Sequence, residues 1–191
     1  VIMAEKGGYL IVDEVYLEFL FGEGQGTSYK LAENIVVTSS LTKAYGLGPL
    51  RAGWIFAHDD IADDIRSVFN LVFGTTPALT ERLAEYAVNY RDGFHAHTQN
   101  YRSNFRLLKE FMAAQDSFRW IEPDAGIVSF PVMESADKAV KLHRLLLKEY
   151  DTLVMPGKFF DYPAGIRIGH GVDNMTFEKG LDNLKEALGR L

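Results

Sequence analysis

The chain contains no cysteine, so it has no disulfide and no thiolate to act as a nucleophile or metal ligand. That agrees with a reducing compartment. No apolar run approaches the roughly 20 residues that a membrane-crossing helix needs, and no basic segment leading into an apolar one opens the chain as a secretory signal. The expected compartment is the cytoplasm, with no membrane partner. Positive charge is also in short supply: 20 Lys and Arg face 26 Asp and Glu, a net charge of −6. A nucleic-acid surface shows clustered Lys and Arg, so no nucleic-acid partner is expected. What remains is ordinary: 191 residues with 47% hydrophobic and 24% charged suit one or two small globular domains.

Short apolar runs at 9–12, 35–38 and 53–57 alternate with helical or polar stretches, the pattern of parallel strands joined by crossovers. Asp59 and Asp60 can cap a helix through about Val72, and Thr76-Pro77 signals another near 77–91. From Asp92 onward, Tyr101, Phe105, Leu108 and Met112 recur at helical spacing, which predicts a long helix with one apolar stripe. Beyond about Gln115 come a strand at Gly126–Phe130, a helix from Ser135 to Tyr150 capped by Ser135, and short apolar runs at 153–155 and 166–168. The last helix carries Phe177, Leu181, Leu184, Leu188 and Leu191 on one face, with Asn174 as its cap. The opening Val1–Gly8 reads as the last turns of a helix with a glycine C-cap. It predicts a chain that begins part-way through a longer one.

One stretch concentrates chemistry. Ser40-Leu41-Thr42-Lys43-Ala44-Tyr45-Gly46-Leu47-Gly48-Pro49-Leu50-Arg51 follows the apolar run Ile35-Val36-Val37. A lysine at a strand-to-loop junction can condense with an aldehyde, while Arg51 and the Ser40 hydroxyl suit a phosphate. Alone, Lys43 is a solvated surface lysine. Its company changes that reading, because the earlier run Tyr9–Val12 ends in the carboxylate of Asp13, with the Tyr16 phenol three positions on.

The two segments together resemble the class I/II aminotransferases of the fold type I pyridoxal-phosphate-dependent superfamily. The resemblance implies that Lys43 condenses with the cofactor's aldehyde, Asp13 pairs with its ring nitrogen and Tyr16 donates to its ring hydroxyl. Ser40 and Arg51 match the phosphate ligands. Gly165-Ile166-Arg167-Ile168-Gly169 is similar to the family's segment whose arginine grips the substrate α-carboxylate. By pattern alone Arg167 is an edge-strand residue with a solvated head. One departure is visible: the family usually has proline before glycine ahead of the phosphate arginine, whereas here Gly48 precedes Pro49.

The resemblance implies an α/β fold: the tail of a doubly wound, mainly parallel sheet followed by a small C-terminal α/β domain. Residues 1–91 would form the C-terminal part of the large cofactor-binding domain, 92–116 a bridging helix and 117–191 the small domain. It implies an aminotransferase using pyridoxal 5'-phosphate on an amino acid and a 2-oxo acid, as a homodimer in full-length form. The family's upstream phosphate turn, stacking ring and asparagine have no counterpart here, since twelve residues precede Asp13. The chain would be the C-terminal half of a usual enzyme, inactive alone. Lyase, decarboxylase or cyclising chemistry uses the same residues, and a cofactor-sensing regulator is the reading from another class.

Other motifs give less. Gly22–Thr27 is glycine-rich but has no lysine at the nucleotide-binding spacing and reads as a mobile loop. His95 and His97 diverge on a helix, and no metal site is expected. His170 reads as a loop histidine, with a place beside the substrate as the alternative. Met133 and Met155 read as core.

Overall fold

Ile35, Val36 and Val37 are consecutive and β-branched, a run that favours a strand covered on both faces. In the computed structural model, which describes residues 2–20, 26–124 and 126–191, they begin the central strand β2 (Ile35–Ser40) and are buried. On one side lies β1 (Leu10–Asp13), parallel, with Asp13 opposite Thr38. On the other lies β3 (Gly53–Phe56), with Ser40 opposite Gly53. This pair is antiparallel, which corrects the expected parallel run at 53–57. The link between β2 and β3 holds only the short 3-10 turn Gly48–Leu50, whereas a parallel return needs a crossover of a dozen or more residues, usually a helix. Glycine is required at position 53, where a Cβ would lie 2.8 Å from the Ser39 carbonyl oxygen.

The chain divides into two compact units, Val1–His97 and Thr98–Leu191. The first opens with a short helix α1 (Ile2–Glu5), closed by Gly7 at a positive φ of 65° and a bond from the Gly8 N–H to the Met3 carbonyl, 2.8 Å. Between β1 and β2 the buried Glu14 carboxylate accepts from the Ser28 N–H at 2.6 Å, tying the connection back to the sheet. Gly22–Gln25, the glycine-rich stretch, lies outside the described residues. After β3 come α2 (Asp59–Val72) and α3 (Ala78–Asn89). His58 occupies the N-cap position of α2 without a side-chain cap, and Asp59 and Asp60 sit in its first turn; they favour the helix through its dipole rather than by capping. Pro77, not Thr76, is the N-cap residue of α3. Leu71 and Phe73 at the end of α2 and Leu79 in α3 are exposed, as is Ile11 of β1.

The division falls within α4 (Arg91–Ala113). Its expected stripe is real: Tyr101, Phe105, Leu108 and Met112 are all buried. The side chains of His95 and His97 lie outside the described residues. In the second unit, α5 (Ala136–Glu149) is capped by Ser135, whose hydroxyl accepts from the Lys138 N–H. α6 (Asn174–Leu188) is capped by Asp173, whose carboxylate accepts from the Thr176 N–H. The expected cap, Asn174, is instead the first helical residue. The sheet is narrow, with β4 (Val128–Ser129) and β5 (Met155–Pro156) both antiparallel to the central β6 (Ile166–Gly169). Met133, Leu142, Leu146, Val154, Ile166, Ile168 and Phe177 close the core between sheet and helices. Met155, expected there, is half-buried at the strand edge.

Candidate active site

Because β1 and β2 run parallel, Asp13 and Ser40 finish strands at the same end of the first unit's sheet, the end at which open α/β sheets bind ligands. Asp13 is exposed, and one oxygen accepts from the Val15 N–H at 3.1 Å. Tyr16 is half-buried against the Phe19 ring at 5.8 Å. The Ser40 hydroxyl accepts from the Thr42 N–H at 3.3 Å, so its own proton remains available to a ligand. Leu41 and Ala44 are both buried and bracket the exposed Lys43. They anchor a turn, closed by bonds from Gly46 N–H to the Lys43 carbonyl and from Leu47 N–H to the Leu41 carbonyl, that leaves the amine in the open.

Arg51 ends the 3-10 turn in the left-handed region at φ 52°, a conformation that non-glycine residues adopt at a cost of order 1–3 kcal/mol. Its exposed guanidinium donates to the Gly48 carbonyl at 3.4 Å. Pro49 sits inside this turn, where its fixed φ is acceptable. The exchanged order of glycine and proline is therefore accommodated locally. Among the described residues, Asp13, Lys43 and Arg51 form no ion pair with one another or with any other group.

In the second unit, Arg167 lies on β6 between Ile166 and Ile168, which both point into the core. Alternation along the strand sends Arg167 to the opposite face. There its guanidinium stacks 5.0 Å from the centre of the Phe160 ring, and it makes no ion pair among the described residues. This is a half-buried arginine with its planar fork uncommitted.

Two buried side chains sit at the end of this strand, and only one of them, His170, was singled out in the sequence. Asn104, wholly buried on α4, donates from its amide to the carbonyls of His170 and Val172 at 3.0 and 2.8 Å, fixing the chain as it leaves β6. Nothing local marks it, because its partners lie 66 and 68 residues away. His170 lies in the loop just past the end of β6, as expected, and is fully buried there, packed on Phe105 at 5.5 Å and Phe177 at 6.4 Å.

Burial lowers the His170 pKa to about 4, and the Val128 backbone, which favours the charged ring, does not offset it. A folded-state pKa below the unfolded value means that the unfolded chain takes up the proton first. Stability is therefore expected to fall as pH drops from about 6.5 towards 4, by at most about 3 kcal/mol from this group. Denaturant titrations at pH 7 and pH 4.5 check it; if His170→Phe loses as much stability on acidification as the unsubstituted chain, another group is responsible.

A family model described as aminotransferase class I and II matches residues 1–184. The chain belongs to this family. A histidinol-phosphate aminotransferase of Pasteurella multocida is 31% identical over 94% of the chain and 48% of its own length. A capreomycidine synthase of Streptomyces vinaceus is 27% identical over 82% of the chain and 41% of its own length. Among solved structures, a pyridoxal-phosphate-dependent cyclase, OrfR, superposes with a TM-score of 0.86 at 27% identity, covering 98% of this chain and 52% of that one. The chain spans about half the length of the relatives it matches. The α/β class expected from the sequence is that of this superposed structure, and the described part of the chain has no helix long and apolar enough to cross a membrane.

Proposed function

We propose that the chain carries the lysine-bearing half of a pyridoxal-phosphate-dependent aminotransferase that moves an amino group between an amino acid and a 2-oxo acid. The observation that carries this reading is the set Asp13, Ser40, Lys43 and Arg51 at one end of the β1–β2–β3 sheet, with no ion pair on its charged members among the described residues. Its chemistry fits the cofactor: a carboxylate for a ring nitrogen, a hydroxyl and a guanidinium for a phosphate, and an amine for an aldehyde. Pyridoxal phosphate held by these residues would supply an electron sink.

The chain's own residues do the rest. Lys43, placed in the open by Leu41 and Ala44, takes the α-proton as a base and returns it as an acid. Asp13 accepts a hydrogen bond from the ring nitrogen and keeps it protonated. The Tyr16 hydroxyl donates to the ring oxygen, and Ser40 and Arg51 hold the phosphate. Arg167 receives the α-carboxylate, which fixes the orientation of the C–H bond to be broken. The working form proposed is a cytoplasmic homodimer whose domains follow the boundaries 1–91, 92–116 and 117–191.

Incubation of the complete enzyme, rather than of this chain alone, with an amino acid and 2-oxoglutarate, followed by product analysis, tests the reaction. Glutamate and a new 2-oxo acid are expected. A cyclised or decarboxylated product formed without loss of 2-oxoglutarate would replace this reading. Arg167→Ala is expected to weaken amino-acid binding by roughly 2–5 kcal/mol, as for one partner lost from a buried charge pair, with cofactor affinity unchanged. Separate titrations of the two ligands decide it: a loss confined to the cofactor reassigns Arg167 to the phosphate or the fold.

A further inference from the structure

The face of β6 that carries Arg167 is aromatic. The antiparallel register of β4 on β6 pairs Ser129 with Ile168, and the Ile166 N–H bonds to the Pro131 carbonyl. Phe130, between these pairs, therefore stands beside Arg167 on the same face. Phe130 meets Phe160 edge-on at 5.6 Å and Tyr162 at 6.4 Å, while Phe160 also stacks on the guanidinium. Gly165 makes room for this arrangement, since a Cβ there would collide with the Phe130 ring.

Phe130, Phe160 and Tyr162 also form one wall of an open cleft of about 920 Å³, whose other walls include Trp120, Ile121 and Val128. That volume lies in the range of small-molecule sites. Among the described residues, Arg119 contributes the one charged side chain that lines the cleft, and no carboxylate lines it. Phe160, Tyr162 and Ile121 are exposed although large and apolar. Arg167, which has no acidic partner among the described residues, stacks on Phe160, and Phe160 in turn lines this apolar trough; the pair is complementary to a molecule with a carboxylate at one end and a bulky apolar group at the other.

We infer that this cleft takes the substrate's side chain, so that the enzyme prefers amino acids with an aromatic or large aliphatic side chain over acidic ones. The inference rests on Arg167 receiving the α-carboxylate. Phe160 contributes to both functions: its face steadies the guanidinium, and its edge bounds the trough in which the side chain lies. The trough is also the expected source of discrimination, since each methylene placed in an apolar pocket changes binding by roughly 10–200-fold.

The test needs neither cofactor nor turnover. Trp54 and Trp120 are the two tryptophans of the chain, so Trp54→Phe leaves Trp120, in the cleft wall, as the fluorescent probe. Titration of this chain with 3-phenylpropionate, propionate and succinate is expected to shift the Trp120 emission, with 3-phenylpropionate binding at least roughly tenfold tighter than either other acid. Tyr162→Ala, at an exposed position, is expected to weaken 3-phenylpropionate binding more than propionate binding and so to reduce that preference. Equal affinity for 3-phenylpropionate and propionate, or no binding of 3-phenylpropionate, overturns the side-chain assignment. Stronger binding of succinate overturns it in favour of Arg119 reading a second carboxylate. If 3-phenylpropionate binds tightly but Arg167→Ala leaves its affinity unchanged, the α-carboxylate assignment fails instead, and the cleft is an apolar site of another kind.

Discussion

Replacing Lys43 by alanine is expected to leave the fold intact and to stop amino-group transfer. The residue is exposed on a turn held by Leu41 and Ala44, so its truncation opens no cavity and exposes no core. Loss of a single general acid–base group costs roughly 10²–10⁴-fold in rate, and here the same amine is also the group that condenses with the cofactor's aldehyde. Lys43→Arg separates charge from basicity, because a guanidinium cannot be deprotonated in a protein; it should be as inactive as the alanine variant. A chemical check is independent of rate. Borohydride treatment in the presence of pyridoxal phosphate should attach the cofactor to the peptide containing Lys43, and recovery of the label on Lys30 or Lys158 would sink the assignment.

Asp13→Asn is expected to preserve the local backbone and still slow turnover by roughly 30- to 4,000-fold, the kinetic equivalent of losing a charge-assisted pair worth about 2–5 kcal/mol at about 1.4 kcal/mol per decade. The amide keeps an oxygen that can accept from the Val15 N–H, as Asp13 does at 3.1 Å, so the end of β1 should not move. It cannot hold a proton on the cofactor ring nitrogen, which the electron-sink chemistry requires. Cofactor affinity and kcat should therefore separate, with most of the effect in kcat. Turnover within a fewfold of the unsubstituted protein would remove Asp13 from the chemistry.

The candidate site was legible because its residues lie close in sequence. Ser40, Lys43 and Arg51 fall within twelve positions behind one apolar strand, and local backbone geometry alone brings them to one end of it. Asn104 and the face of Arg167 were not legible. The Ile-Arg-Ile alternation says that Arg167 points away from its neighbours, but only the pairing of β6 with β4 says that Phe130 stands beside it. The buried state of His170 was hidden for the same reason, since Phe105 and Asn104, which cover and hold it, come from a helix some 65 residues earlier.

The sequence by itself determined what local physics controls. Apolar spacing specified α4 and its stripe, the β-branched run specified β2, and the Ser135 hydroxyl specified the start of α5. These signals act over one turn or one strand, within reach of a side chain from its own backbone. The tertiary structure decided everything that depends on a partner far along the chain: that β3 turns back antiparallel to β2, that Arg167 sits on an aromatic face, and that Asn104 ties down the end of β6. It also chose between adjacent candidates of equal chemistry. Asp173 caps α6 in place of Asn174 because its backbone is the last extended residue, at ψ 154°, and the point at which an extended chain turns into a helix is set by where the helix must pack against the core, not by which of two suitable side chains comes first.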